Sequence, residues 1–172
     1  MRTEEMNIMN ITNINEEEKE FLRLVHENDD NLFQMWPKDS NKSRVLRYVT
    51  MTSAEKFLDE NFHFNIFFIC PTIQVALYNK NMFINDVAKA RKLSDRISKI
   101  QPNKIDYGNK NNIISFMSYT EALRVGPHKD IDLTILDNYR KESVVKFVER
   151  NRNHWAGLKN SSKRIIGITE PE

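Results

Sequence analysis

The sequence predicts an α/β or α+β fold in which a mixed sheet is flanked by helices. The first support is a nearly continuous apolar run at residues 63–70, bounded by Pro71, which is typical of a strand buried on both faces. The second support is the alternation of strand-like and helix-like periodicities along the rest of the chain. The sheet is therefore expected to include residues 64–70, 113–118, 130–136 and 163–169.

These periodicities divide the chain into short elements. The first helix begins at Asn15, whose side chain can cap it, and its first turn is acidic. The predicted helices span residues 15–29, 52–62, 86–100 and 137–155. The predicted strands span residues 44–50, 63–70, 73–78, 113–118, 130–136 and 163–169, with a turn at 79–81. We expect 1–14 to be a flexible N-terminus and 15–172 a single globular domain, with an α/β part at 15–80 and a second part at 86–170.

The composition limits the classes of protein to which this chain can belong. The chain has 172 residues, of which 40% are hydrophobic, which is enough for a core. With 26 basic and 24 acidic residues, the net charge of +2 neither requires nor excludes a nucleic-acid partner. The single Cys70 lies in an apolar run and is expected to be an inert buried thiol. No signal peptide or membrane span is visible, so we expect a cytoplasmic protein without a membrane partner, and the abundance of Asn, Ile and Lys suggests a low-GC bacterium, a phage or a virus.

Two carboxylates stand out near the end of the chain. In the alternating stretch at residues 130–136, Asp130 and Asp132 fall on the same predicted strand face, about 7 Å apart. Oxygen ligands at that spacing suit a hard cation such as Mg²⁺. The pattern therefore predicts a magnesium site at these two residues.

A family resemblance includes the same stretch. Ser118 follows a predicted strand, eleven residues come next, and Asp130-Ile131-Asp132-Leu133 forms the following strand. This order resembles the minimal, MNT-type, nucleotidyltransferase domains over residues 86–170. Met117 stands where that family has a glycine.

The resemblance implies a nucleotidyltransferase that uses Mg²⁺, or a degenerate member that only binds. Asp130 and Asp132 would be its catalytic and metal-binding residues. Its nucleoside triphosphate would be contacted by Ser118, Arg124 and Lys129. The last strand has Ile166 or Gly167 where the family places a third carboxylate.

An alternative function comes from the basic segment before these strands. Residues 82–100 resemble the helix-turn-helix of LacI-type repressors and the Bro-N segment of phage antirepressors. This resemblance implies a phage or viral regulatory protein whose partner is DNA or a host protein. The nucleic-acid contacts would be Lys89, Arg91, Lys92, Arg96 and Lys99. The same segment also fits a single solvated amphipathic helix.

A third hypothesis is an oxygenase that depends on Fe(II) and 2-oxoglutarate. His128, Asp130 and His154 resemble its facial triad, and Arg164 resembles its arginine. The spacing argues against this hypothesis, because only 25 residues separate the two histidines, whereas the intervening strands of such a fold need roughly 40.

Overall fold

The computed structural model describes residues 14–60, 63–87, 97–107 and 112–171. Its strands are β1 (Leu32–Met35), β2 (Asn65–Cys70), β3 (Ile97–Ile100), β4 (Lys104–Tyr107), β5 (Asn112–Ser118), β6 (Leu133–Asp137) and β7 (Ile165–Thr169). Its helices are α1 (Glu16–Glu27), α2 (Lys42–Asp59), α3 (Ile73–Val87), α4 (Tyr119–Val125), α5 (Glu142–Arg150) and α6 (Arg152–Ser161), with a 3-10 turn at Gly126–His128.

All seven strands join one mixed sheet in the order β1-β7-β6-β2-β5-β4-β3. The first five strands in this order run parallel, and β4 and β3 extend the sheet in antiparallel fashion. Parallel neighbours require crossover connections, which here contain the helices. The predicted α/β class with a mixed, helix-flanked sheet is confirmed.

The central strand β2 divides the core into two layers. Ile66, Phe68 and Cys70 point to one face and pack in a cluster with α1, α2 and α3. Phe67 and Ile69 point to the other face and pack with α4, α5 and α6. Because alternate side chains of a strand point to opposite faces, a continuous apolar run is what a strand covered on both sides needs. The buried strand predicted at 63–70 is confirmed.

The first helix is held by a complete capping box. The Asn15 side chain accepts from the backbone N–H of Glu18 at 2.9 Å, and the Glu18 carboxylate accepts from the Asn15 N–H at 3.3 Å. Glu18 is fully buried, and its charge is met by the Arg44 guanidinium of α2, whose Nε donates to Oε2 at 3.0 Å. This ion pair therefore joins α1 to α2 beneath the surface.

Two predicted strands are helical. The strand predicted at 44–50 lies inside α2, and the helix predicted at 52–62 is the continuation of α2 to Asp59. Val45, Leu46 and Val49 are all fully buried, and their spacing also fits one helix face. The strand predicted at 73–78 and the turn after it are both part of α3. In α2 the β-branched residues lie on a buried helix face and imitate strand alternation, whereas in α3 the alternating Ile73 and Val75 are exposed.

The basic helix predicted at 86–100 does not form as one element. α3 ends at Val87 and β3 occupies Ile97–Ile100, which places an exposed Lys99 on a strand. The other predicted nucleic-acid contacts, Lys89, Arg91, Lys92 and Arg96, fall outside the described residues, as do residues 1–13 of the predicted flexible N-terminus.

Two further boundaries differ from the prediction. The last long helix, predicted at 137–155, is divided into α5 and α6 at Asn151. Ile14, at the end of the predicted flexible segment, packs against the core. Within the described ranges, no helix has the length and apolar content needed to cross a lipid bilayer.

Replacing Arg44 with alanine is expected to destabilise the protein by about 3 kcal/mol, because it leaves the buried Glu18 carboxylate without its counter-ion. The matched control is Arg23→Ala, which removes an exposed arginine that pairs with Glu20 and Glu27 on α1. Urea denaturation of both variants measures the difference. Equal loss of stability in the two variants would show that the buried pair does not anchor α1.

Candidate functional site

The carboxyl ends of the parallel strands lie along one edge of the sheet, where loops and the first residues of helices meet. β1, β6 and β7 all have their carboxyl ends there, and α2 begins there after the loop at residues 36–41. Ligands of open α/β sheets bind outside the carboxyl ends of the strands. A functional site is therefore expected at this edge of the sheet.

Three side chains from distant parts of the chain meet at this edge. Lys42, the first residue of α2, donates from Nζ to Oδ1 of Asp137 at 2.9 Å across a separation of 95 residues. The Ser43 hydroxyl lies 3.3 Å from the other oxygen, Oδ2. The side chains of Lys42 and Asp137 are only 10% and 2% exposed. The cluster is thus a buried ammonium–carboxylate pair with a hydroxyl beside it.

Asp137 occupies this position because it is the last residue of β6, a strand whose five residues are all buried. Its backbone carbonyl accepts from the Tyr119 hydroxyl at 3.0 Å. Burial, followed by the nearby charge of Asp137, raises the pKa of Tyr119 well above its ordinary value, so this hydroxyl remains a donor. Burial also raises the pKa of the Cys70 thiol, which agrees with the prediction that it is inert.

A second carboxylate reaches the same ammonium from the end of β7. Glu170 Oε1 lies 3.5 Å from Lys42 Nζ, and the Glu170 side chain is 30% exposed. Asn138, which follows Asp137, holds this segment: its Oδ1 accepts from the Glu170 N–H at 3.1 Å and from the Thr169 hydroxyl at 3.1 Å. Asn138 itself has a positive φ of 52°, which asparagine tolerates better than most residues.

The loop before α2 is anchored at its start and bent in its middle. The Trp36 N–H donates to the Thr169 carbonyl at 2.8 Å, and the Trp36 ring packs edge-on against Phe21. Asp39 has a φ of 61°, so the left-handed turn of this loop is made without glycine. The Ser40 hydroxyl oxygen is buried and has no hydrogen-bond partner in the part of the chain that the structure describes. The loop therefore presents an unsatisfied polar group next to the start of α2.

The start of α2 is unusual in its charge. The Asn41 side chain makes no capping hydrogen bond, and the first turn contains no acidic residue. Helix amino termini carry a partial positive charge and N–H groups without intrahelical acceptors. Lys42 adds a positive charge at this end, whereas the charge of Arg44 is compensated by Glu18. Such an end favours an anion.

The loop before α2 and the first residues of α2 match part of the residue spacing of the phosphate-binding loop. Residues 36–43 read W-P-K-D-S-N-K-S, and the phosphate-binding loop reads G-x-x-x-x-G-K-[ST] between a strand and a helix. Lys42 and Ser43 match the last two positions, while Trp36 and Asn41 replace the glycines. Sequence reasoning missed this site because it read the segment as a loop leading into a strand. A Lys-Ser pair that opens a helix directly after a short strand was the available signal.

The predicted carboxylate pair lies at the opposite edge of the sheet. Asp130 and Asp132 both precede β6, which begins at Leu133, so the shared strand face predicted for them is wrong. Asp132 accepts from Lys163 Nζ at 2.9 Å and from the backbone N–H of Asn65 at 2.8 Å. Asp130 is exposed. Asp132 thus connects the beginnings of β6 and β2.

Ser118, one of the residues predicted to contact a nucleotide, lies near the opposite end of β2 from that pair. Ser118 is level with Cys70 at the end of β2, whereas Leu133 is level with Ile66 near its start. Those positions on β2 are about 13 Å apart at the usual rise per residue. The Ser118 hydroxyl caps α4 by accepting from the Glu121 N–H at 3.3 Å. Arg124 pairs with Glu121 at 2.6 Å, and Lys129 is exposed.

The residues of the predicted iron site do not come together either. Among the described residues, no three His, Cys, Asp or Glu side chains form a group that could hold a metal ion by themselves. This finding excludes the triad of His128, Asp130 and His154. A cation at the Lys42 edge would need oxygen ligands from a second molecule in addition to Asp137 and Ser43.

Of the comparisons with known proteins, the one with solved structures gives matches. No protein-family model matches the chain, and no curated protein matches it. Among the solved structures that match is a mutant of the large terminase ATPase domain of Thermus phage P74-26, with a TM-score of 0.53 and 12% sequence identity. The alignment covers 87% of this chain and 64% of that structure. The chain therefore spans less than two thirds of the matched structure, and the likeness is one of fold.

This likeness overturns the nucleotidyltransferase prediction. The shared fold is that of an ATPase domain, and the carboxylates chosen for nucleotidyl transfer lie at the amino end of β6. The alternative DNA-binding function stays a prediction: residues 97–100 form β3 and not the end of the predicted helix, and four of its five predicted contacts lie outside the described residues.

A double-mutant cycle on Lys42→Met and Asp137→Asn is expected to show a coupling free energy of roughly 2 kcal/mol, since the two side chains form one buried pair. Lys42→Met is the more damaging single change, because Glu170 can still pair with Lys42 when Asp137 is neutral. Thermal or urea unfolding of the four proteins measures the coupling.

The control cycle uses Lys163→Met and Asp132→Asn, whose lysine is 72% exposed. Its coupling is expected to stay below about 1 kcal/mol, as for other exposed pairs. A coupling at Lys42 and Asp137 no larger than this control would contradict the buried pair.

Proposed function

We propose that this chain is an ATPase-like, nucleotide-binding phage protein. It binds a nucleoside triphosphate together with Mg²⁺ at the carboxyl edge of the sheet. The observation that carries the proposal is the placement of Lys42 at the start of α2, 2.9 Å from the buried Asp137 carboxylate and beside the Ser43 hydroxyl.

The phosphate chain is the part of the ligand that this edge suits. A triphosphate needs positive charge and N–H donors that already point at it, and a helix start offers both. Lys42 adds a full positive charge there, and the Ser40 hydroxyl adds a buried polar group that has no partner among the described residues. The first turn of α2 contains no acidic residue, so its own side chains do not repel a phosphate.

The cation follows from the charges that surround Lys42. One ammonium faces the two carboxylates of Asp137 and Glu170, so the acidic side chains outnumber the basic one here. A triphosphate alone would be repelled. Mg²⁺ prefers one or two protein oxygens together with phosphate oxygens and water, and Asp137 and Ser43 supply protein oxygens of that kind.

The contact between Lys42 and Asp137 then belongs to the nucleotide-free state. When phosphates bind, the Lys42 ammonium would turn to them, and the Asp137 carboxylate would hold the cation. This exchange keeps both buried charges compensated in each state, as a buried ion pair requires. The fold likeness to the large terminase ATPase domain supports this assignment.

Binding of ATP with Mg²⁺ is expected to stabilise the protein by about 2.7 kcal/mol at 100 times the dissociation constant. Lys42→Ala should remove this stabilisation, because the ammonium is the main counter-charge for the phosphates. The measurement is the ligand-induced change in melting temperature, with titration calorimetry for the dissociation constant.

Asp132→Asn is the matched control, since it neutralises a carboxylate at the opposite edge of the sheet. It should bind as the unchanged protein does. Because Lys42→Ala leaves Asp137 unpaired, the double variant Lys42→Ala/Asp137→Asn is included to separate loss of binding from loss of folding. No binding by the unchanged protein to any of the four nucleotides with Mg²⁺ would overturn the proposal, as would normal binding by Lys42→Ala.

A further inference from the structure

We infer that Glu170 is the general base of nucleotide hydrolysis at this edge. It accepts the proton of the water molecule that attacks the terminal phosphate. The inference rests on the proposed function and adds the residue that carries out the proton transfer.

Two carboxylates share Lys42 as their partner. A phosphate that binds this ammonium arrives next to both of them, because Asp137 lies at 2.9 Å and Glu170 at 3.5 Å from Nζ. A general base has to lie within hydrogen-bond reach of the attacking water. Each of these two residues is close enough to a phosphate on Lys42 to be considered.

Asp137 is unsuited to proton transfer. Both of its oxygens are engaged, one by Lys42 and the other by Ser43, and its side chain is 2% exposed. A carboxylate in this position fits a cation ligand, which must stay ionised and in place.

Glu170 has the opposite surroundings. Its side chain is 30% exposed and lines a cavity of about 440 Å³ between the ends of β1 and β7 and the helix α5. Water can therefore reach its carboxylate from the cavity side while the phosphate lies on the Lys42 side. Two other carboxylates line this cavity, and one of them, Glu142, is paired with Lys146 at 2.8 Å.

Asn138 is the positioning residue for Glu170. It directly follows Asp137, but its amide cannot accept a proton at neutral pH. Its Oδ1 instead accepts from the Glu170 N–H and the Thr169 hydroxyl, both at 3.1 Å. These bonds hold the residue after β7 next to the end of β6, so that the Glu170 carboxylate faces Lys42.

The chemical step balances without any other reactant than water. The water oxygen forms a bond to the terminal phosphorus as the bond from that phosphorus to the bridging oxygen breaks. The bridging electrons leave with the nucleoside diphosphate, whose charge Lys42 neutralises and a bound cation would also offset. The water proton goes to the Glu170 carboxylate, which releases it to solvent as inorganic phosphate leaves.

The test compares Glu170→Gln, Glu170→Asp and the control Glu149→Gln, which lines the same cavity. With ATP and Mg²⁺, Glu170→Gln is expected to lower kcat by at least about 100-fold, the usual contribution of a general base. Its dissociation constant for ATP should stay the same or fall, because the change removes a negative charge next to Lys42. Glu170→Asp should recover part of kcat, and Glu149→Gln should keep all of it.

The two proposals fail in different ways. If the unchanged protein does not bind ATP with Mg²⁺, the proposed function fails. If it binds but does not release phosphate, or if Glu170→Gln keeps kcat within about threefold of the unchanged protein, the role of Glu170 is overturned while the binding proposal stands. Weaker binding by Glu170→Gln, in proportion to its loss of turnover, would also overturn the role, since it would indicate damage to the site.

Discussion

The contact between Lys42 and Asp137 is the constraint on which this part of the structure depends. Moving an ammonium and a carboxylate out of water costs several kcal/mol for each ion, and two apolar side chains of similar size would hold the same elements together as well or better. The pair at 2.9 Å is therefore a poor device for stability alone. The pair is better explained by a binding site. There the phosphates can replace Asp137 as the partner of Lys42, and a cation can replace Lys42 as the partner of Asp137.

The fold brings these residues together through the topology of the sheet. Because β1, β7 and β6 are adjacent and parallel, their carboxyl ends lie side by side, and the residues that follow each strand meet there. Lys42 comes from the helix after β1, Asp137 ends β6, and Glu170 follows β7. The arrangement needs no contact between residues that are close in sequence, apart from the adjacent Lys42 and Ser43.

Sequence patterns predicted an element correctly where one kind of interaction determines the structure of that segment. The buried strand at 63–70 followed from its unbroken apolar run, and α1 followed from Asn15 and the acidic first turn. They failed for the segment at 44–50, whose Val45, Leu46 and Val49 fit both a strand and a buried helix face. Local periodicity cannot distinguish these two cases, because the difference lies in which partners cover the segment.

The functional site at Lys42 and Asp137 could not be predicted from the sequence for a related reason. Its two main residues are 95 positions apart, and no glycine marks the loop before Lys42. Asp130 and Asp132 attracted attention because they are close in sequence and alternate as a strand would. Only the strand order shows that they lie at the amino end of β6, opposite the edge where the helix start and the buried carboxylate meet.

A crystal structure with Mg²⁺ and a non-hydrolysable ATP analogue tests this account most directly. We expect the phosphates to lie over the start of α2 and Lys42 Nζ to leave Asp137 and contact them, while Asp137 and Ser43 would be the residues that hold the cation. An analogue bound at Asp130 and Asp132, or anywhere else with the contact between Lys42 and Asp137 unchanged, would contradict it.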